Sequence, residues 1–471
     1  MQKYRIVSLF SGAGGLDLGF VQTGRYEVVF ANEKLEPVAK TYSNNIGLKL
    51  AKCDGSSVEA ERGTILVCDV EKVSFSGLKG EDIDVVLGGP PCQDFSIVRG
   101  PDRKGIEVKR GRLYAHFVRA LVALQPKLFV FENVPGLMSA NQGLAYKVIL
   151  EDFKNLNLRW DEVKRTISAK NYNEKIEGYE LLFADKVDFS RLGVPQKRQR
   201  LLIIGIRRDL IGQRLQLLQK FRDDLKSIIE GEGWLFYKYP LTPIEAFEGK
   251  PLDQLNDKYR DTMLKWKDIF DQVKTERALK WKEKIWDHLT FDIIYDYLFL
   301  NGVNGMKSDN EIDKMIKEHE NILKELGYYG KPVNALDFSD HTNDLPDEDD
   351  VTIERLRRIP PGENYEFVKG TPWEVEGRNI NIIYKRLHPL KPSYTITAYG
   401  GGGTQGYHYD RDRTQLTLRE KARLQTFPDD FLFYGKKTEI RAQIGEAVPP
   451  LVVKRIAEFL AFEILDLLPE V

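Results

Sequence analysis

Cysteine is scarce in this chain: Cys53, Cys68 and Cys92 are the three in 471 residues, and none forms a CxxC pair. That scarcity argues against a disulfide framework or a thiolate zinc site and fits a reducing compartment. Histidine is also rare, with six residues scattered without ligand spacing, so no metal site is expected. Neither sign of charge is in excess, with 70 Lys and Arg against 71 Asp and Glu. Binding to nucleic acid would therefore have to come from local basic patches. The chain shows no signal-like amino terminus, no long apolar span and no internal repeat. A cytoplasmic protein without membrane contact is the expectation. What is plentiful is length, enough for a large core and two or more domains.

The first half alternates short apolar runs with helix-like stretches. RIVSLF (5–10), YEVVFAN (26–32), GTILVCD (63–69), IDVVLGG (83–89) and KLFVFEN (127–133) are rich in β-branched and aromatic residues. His116, Ala120, Ala123 and Leu124 fall at helical spacing between them. Continuous apolar strands alternating with helices imply a parallel sheet buried on both faces, an α/β architecture. Two further strand candidates lie at 178–187 and 200–208. Beyond about residue 210 the texture changes. Apolar spacing predicts two amphipathic helices, over 261–286 and 312–326, with Trp266, Trp281 and Trp286 as core anchors. An acidic loop at 344–350 reads as solvated, and 451–468 as a carboxyl-terminal helix returning to the first domain.

Chemistry-bearing residues cluster at the ends of the apolar runs. In GGPPCQDFS (88–96), Pro90 and Pro91 end a strand and fix the orientation of Cys92. Alone, Cys92 reads equally as a nucleophile or as a small buried hydrophobe. SLFSGAGGLDLGF (8–20) is a strand, a glycine turn and a helix, in which Gly12, Gly14 and Gly15 allow close approach of a ligand. It departs from the GxGxxG pattern. Glu33 follows about 20 residues later, where an acidic residue can bind ribose hydroxyls, and Asp69 could hold an adenine amino group. Each reads equally as a solvent-facing strand end. Together they suggest an adenosine-containing cofactor.

Taken in order, SLFSGAGGLDLGF, NEK (32–34), GGPPCQDFS, FENVPG (131–136), QKRQRLLIIG (196–205), SYTITAYGGGG (393–403), LTLREKARLQTFPDDF (416–431) and QIGEAVPP (443–450) resemble the DNA (cytosine-5) methyltransferase family. The resemblance runs from residue 5 to about 455, apart from a variable stretch between about 210 and 385. It implies a Rossmann-like, doubly wound methyltransferase sheet with a smaller target-recognition domain. The expected boundaries are a catalytic and cofactor domain over 1–210, target recognition over 211–415, a hinge over 416–442, and a returning segment over 443–471. S-adenosylmethionine is the implied cofactor, held by Phe10, Gly12, Gly14, Gly15, Glu33, Asp69, Pro90 and Leu113. Gln93, Ser96, Arg103, Thr395, Thr397, Tyr399 and Gly401 are the implied contacts to double-stranded DNA. A monomer, with a cognate restriction endonuclease acting separately, completes the expectation.

The residues suit that chemistry. Carbon 5 of cytosine becomes nucleophilic only after a nucleophile adds at carbon 6, and a thiolate such as that of Cys92 is suited to this. Charge then builds at ring N3, where Glu132 in FENV is the candidate proton donor, kept protonated by a buried site. Arg200 resembles the family arginine that holds the base, and Arg198 its neighbour; both could instead be surface charges, though two arginines at a strand entrance beside Gln196 suit a bidentate contact. The reaction requires a flipped base. The stretch 93–114, with Arg99, Arg103, Lys104, Lys109, Arg110 and Arg112, reads as a mobile loop over the phosphate backbone or as a merely solvated one. One position departs from the family pattern: Glu446 stands where the motif usually has Asn. Two rivals are a transfer-RNA cytosine-5 methyltransferase and a catalytically silent DNA-binding regulator. The long insert argues against the first, and the presence of Cys92, Glu132, Arg198 and Arg200 against the second.

Overall fold

The apolar runs of the first half assemble one eight-stranded sheet. Its strands are β1 (Tyr4–Leu9), β2 (Tyr26–Glu33), β3 (Lys49–Lys52), β4 (Thr64–Val67), β5 (Val85–Gly88), β6 (Leu128–Asn133), β7 (Tyr179–Asp188) and β8 (Gln199–Arg207). In space they run β7-β8-β6-β5-β1-β2-β4-β3. The computed structural model describes residues 3–91, 96–99, 106–109, 111–167, 176–303, 308–375, 381–400 and 403–468, with 96–99 and 106–109 described by backbone alone.

From β3 through β6 every neighbouring pair is parallel, as the continuous apolar runs require. The other end corrects the expectation of a parallel sheet, because β8 pairs antiparallel with both β6 and β7. The segment joining β7 to β8 carries no crossover helix, which a parallel pair would need. The chain winds from β1 to β2 on one side and later places β5 on the other. That makes the carboxyl ends of β1 and β5 a switch point, where open α/β sheets bind ligands.

Three helices position that edge: α1 (Gly15–Gln22), α2 (Glu36–Ile46) and α3 (Arg112–Leu124). Phe117 of α3 packs edge-on against Phe129 and Phe131 of β6, and Phe129 in turn against Tyr179 of β7. Helix Pro450–Phe459 packs on α1 at Gly19, where a Cβ would lie 2.5 Å from that of Val453. Only the first part of the expected 451–468 helix is α-helical; a π turn over Leu460–Ile464 and a 3-10 turn over Leu465–Leu467 follow.

One other expectation is corrected in this region, and a second gains local structure. Cys53 and Cys68 form a disulfide. The parallel register Lys52↔Val67 sets the two next positions side by side, a neighbourhood hidden while β3, with its two lysines, goes unread as a strand. Within the stretch read as a mobile loop, Ser96–Arg99 pairs antiparallel with Ile106–Lys109, and α3 begins at Arg112.

The chain divides into two compact units, 1–188 with 199–232 and 447–471, and 189–198 with 233–446. These bounds differ from the expected ones for local reasons. Helix Leu215–Glu230 joins the sheet unit, with Arg222 donating from Nε to the Leu181 carbonyl at 2.8 Å. Residues 416–442 lie in the second unit, where Arg419 and Arg423 of helix Leu418–Leu424 are fully buried.

Of the two helices expected in the second unit, 312–326 is present as Asp309–Glu325, whereas 261–286 is broken into shorter pieces, among them Asn256–Leu264 and Glu276–Lys284, with Ile293–Leu300 following. Thr275 breaks the 261–286 run by capping the Ala278 N–H. Trp266 and Trp281 are buried in an apolar cluster with Trp286 packed on it. Among the described residues of this unit, three isolated bridges replace a sheet. Buried arginines take its place. Arg386 donates to the carbonyls of Ile359 (2.8 Å), Leu356 (2.7 Å) and Asp410 (2.7 Å).

Candidate active site

The carboxyl edge of the sheet is built by the glycine turn after β1. Phe10 has φ of 54°, an uncommon backbone for a side chain of that size, at the point where β1 leaves the sheet. Gly12 and Gly14 also have positive φ, 57° and 93°. Each requires glycine for a different reason. A Cβ on Gly14 would lie 2.9 Å from the Tyr42 ring, whereas the space beside Gly12 holds no atom within 4 Å. The turn therefore packs tightly beneath and stays open beside Gly12.

Glu33, at the end of β2, is fixed in that opening. Its two carboxylate oxygens accept from the Gly12 N–H at 3.0 Å and the Leu35 N–H at 2.9 Å. Asn32 donates to the Leu66 and Cys68 carbonyls, tying β2 to the end of β4. There Asp69 pairs with Lys34 at 2.9 Å and caps the Glu71 N–H. Burial pushes the Asp69 carboxyl up, but the Lys34 ammonium and the Glu71 N–H outweigh it and hold it below its usual range. The strand ends offer a fixed carboxylate at Glu33, a second at Asp69 and open backbone between. This donor and acceptor set fits the ribose and amino group of an adenosine. Pro90 is buried, and Leu113 is half-buried in the first turn of α3.

The second cluster lies at the ends of β5 and β6. Gly89 has no side chain to give, and Glu132 uses the space: a Cβ there would lie 2.8 Å from Glu132 Oε2. The other oxygen, Oε1, pairs with Arg200 Nε at 3.0 Å. Asn133 Nδ2 donates to the Pro90 carbonyl at 2.8 Å, locking the end of β6 to the turn that leads into Cys92. Burial lowers the Arg200 pKa, and Glu132 opposes that shift. An ion pair so shielded is screened less by water and salt than an exposed one.

Arg198 is not part of this pair. It belongs to the second unit, is fully buried, and donates to the carbonyls of Ile396 at 3.1 Å and Gly445 at 2.7 Å. The contact that sequence adjacency suggested is replaced by a structural clamp. Gln196 completes it, accepting from the Ile396 N–H at 2.9 Å. Thr395 Oγ1 donates to the Lys197 carbonyl and Thr397 Oγ1 to that of Tyr399. The Tyr399 ring is 77 % exposed, and its hydroxyl donates to Glu446 at 3.1 Å. The departure from Asn at 446 thus has a local partner. Cys92, Gln93, Arg103 and Gly401 lie outside the described residues, as does the side chain of Ser96. Among the described residues, no cluster of His, Cys, Asp and Glu could hold a metal ion, and no helix is long and apolar enough to cross a membrane.

Lys34, which pairs with Asp69, is missed by sequence reasoning, although its place in the NEK motif was an available signal.

The model of the C-5 cytosine-specific DNA methylases matches residues 4–461. The chain belongs to that family. It is 64 % identical over 469 residues to the DNA (cytosine-5-)-methyltransferase M.ApeKI of Aeropyrum pernix, covering 99 % of this chain and 100 % of the relative. It is 32 % identical to the type II methyltransferase M.NgoFVII of Neisseria gonorrhoeae, over 97 % of this chain and 86 % of that one. The fold matches the crystal structure of a prophage-encoded E. coli protein, with TM-score 0.53, 23 % identity, and coverage of 98 % and 99 % of the two chains. The family's reaction, methylation of cytosine at carbon 5 in DNA, is an enzyme activity of this chain and requires a methyl donor.

Proposed function

We propose that the chain transfers a methyl group from S-adenosylmethionine to carbon 5 of a flipped-out cytosine in a specific double-stranded DNA sequence, through a covalent bond from Cys92 to carbon 6. The observation that carries this reading is the Glu132–Arg200 pair seated over Gly89, in the turn whose next residues are Pro90, Pro91 and Cys92.

On this reading the Cys92 thiolate adds to carbon 6, and Glu132 supplies a proton at N3, so that electron density collects at carbon 5. Paired with Arg200, Glu132 is a carboxylate and not the buried acid expected, so it must take up a proton from solvent as the base enters before it can give one to N3, and Arg200 then holds the ring. S-adenosylmethionine, when bound, supplies the electrophilic methyl group. Loss of the carbon 5 proton to solvent and expulsion of the Cys92 thiolate restore the ring, and the N3 proton returns to Glu132. Glu33 would hold the ribose of the cofactor and Asp69 its base, with Phe10, Gly12, Gly14, Gly15, Pro90 and Leu113 lining the site. Thr395, Thr397 and Tyr399 would meet DNA from the second unit, with Gln93, Ser96, Arg103 and Gly401. One relative is named a type II methyltransferase, which suits a modification role; on this reading a cognate endonuclease acts separately and the chain works as a monomer in the cytoplasm.

Labelled S-adenosylmethionine, offered with duplex DNA and with transfer RNA, tests the reading. The label should enter duplex DNA alone, and Cys92→Ser should bind cofactor normally yet transfer nothing. Labelling of transfer RNA instead, or substantial turnover by the serine variant, would overturn it.

A further inference from the structure

His116 is 4 % exposed, and among the described residues neither of its ring nitrogens has a hydrogen-bond partner. Its place on α3 locates it. Arg112, His116 and Arg119 fall on one helix face at i, i+4 and i+7. Arg112 pairs with Glu71 at 2.8 Å, and Arg119 donates to the Val70 carbonyl at 2.8 Å. The imidazole between them therefore faces the Val70–Glu71 segment, immediately after Asp69. The charged groups acting on it are Arg119, Arg112 and Asp69.

Burial, reinforced by the two arginines, holds its pKa down to about 3, so the ring is neutral throughout the physiological range. A neutral imidazole offers one donor and one acceptor. Leaving both unpaired in the interior is costly, and such orphans call for a partner. Of the neighbouring arginines, Arg112 is ion-paired with Glu71, and Arg119 is turned onto the Val70 carbonyl and the Phe75 ring. A neutral heteroaromatic base, with its own ring acceptors and amino donors, is the complementary chemistry.

We infer that His116 is a further contact for the base of the adenosyl cofactor, reaching the edge that Asp69 serves. This rests on the cofactor reading above, and the test separates the two. Calorimetry without DNA would compare S-adenosylhomocysteine with its deaminated analogue S-inosylhomocysteine, which differs only at the base edge. The wild type should favour the adenosyl compound. His116→Phe, which fills the volume and removes both nitrogens, should weaken adenosyl binding about three- to tenfold. It should weaken inosyl binding less, so that the ratio narrows. His116→Gln keeps a donor and an acceptor and should recover part of the ratio; it also serves alone if the phenylalanine variant does not fold. Equal weakening of both ligands, or an unchanged ratio in either variant, would overturn the inference and leave His116 a filler of the core. A wild type that binds neither compound would remove the cofactor reading itself, and this inference with it.

Discussion

The two units satisfy their buried backbone by different means. In the first, eight strands exchange N–H and C=O groups in ladders, and the residues between them are apolar. In the second, Arg198, Arg386, Arg419 and Arg423 are each fully buried and spend guanidinium donors on backbone carbonyls of loops and short helices. A ladder is a repeating solution that writes a period into the sequence. A guanidinium serving several carbonyls is a local one that writes none. The second unit can therefore change its loops between relatives without a sheet register to preserve, which suits a region that reads a variable target.

Removing one of those arginines should break the second unit selectively. Arg386→Met strips the donor from the carbonyls of Ile359, Leu356 and Asp410, at a cost of about 3–5 kcal/mol. The guanidinium also lies 5.0 Å from the Trp266 ring centre, and of the six tryptophans only Trp160 belongs to the first unit. Tryptophan fluorescence during denaturant unfolding should therefore shift to a much lower midpoint, while cofactor binding by the folded protein persists. An unchanged midpoint would mean that the arginine is not what holds the loops.

The first unit has its own exception to apolar burial, and it sharpens the contrast. Asp17 of α1 is fully buried and accepts from the Tyr42 hydroxyl at 2.9 Å. Burial pushes its pKa up to about 6. Below about pH 4 both folded and unfolded chains hold the proton. Between about 4 and 6 the unfolded chain ionises first, so the folded state loses stability across that window, by about 3 kcal/mol in all, and levels off above it. Asp17→Asn should abolish this fall. Denaturant midpoints measured from pH 4 to 7 would show it, and parallel curves for the two proteins would refute it.

The contrast also explains what was legible. β1, β2, β5 and β6 lie within two residues of their apolar runs, because a strand buried on both faces has no choice but to be apolar. β3, KLAK, is an edge strand with exposed lysines and carries no such mark. With it went the proximity of Cys53 to Cys68. At the site, Glu33, Asp69 and Glu132 were legible because strand ends are fixed by the strands. Arg198 and Arg200 look alike in sequence, yet one is buried among carbonyls and the other meets Glu132. Nothing in QKRQR separates them. Arg386 is fully buried, and Arg358 stacks 3.9 Å over the Trp373 ring. Charge marks an arginine, and only its surroundings say whether it faces water.

The central claim is that Cys92 forms a bond to carbon 6 of the target base. Duplex DNA carrying 5-fluorocytosine at the methylated position tests it most directly, because fluorine cannot leave as a cation and the adduct cannot resolve. With S-adenosylmethionine present, the wild type should run as a covalent complex on a denaturing gel, and mass spectrometry should place the nucleotide on the peptide containing Cys92. No shifted band under conditions where ordinary DNA is methylated, or attachment at another residue, would contradict the account.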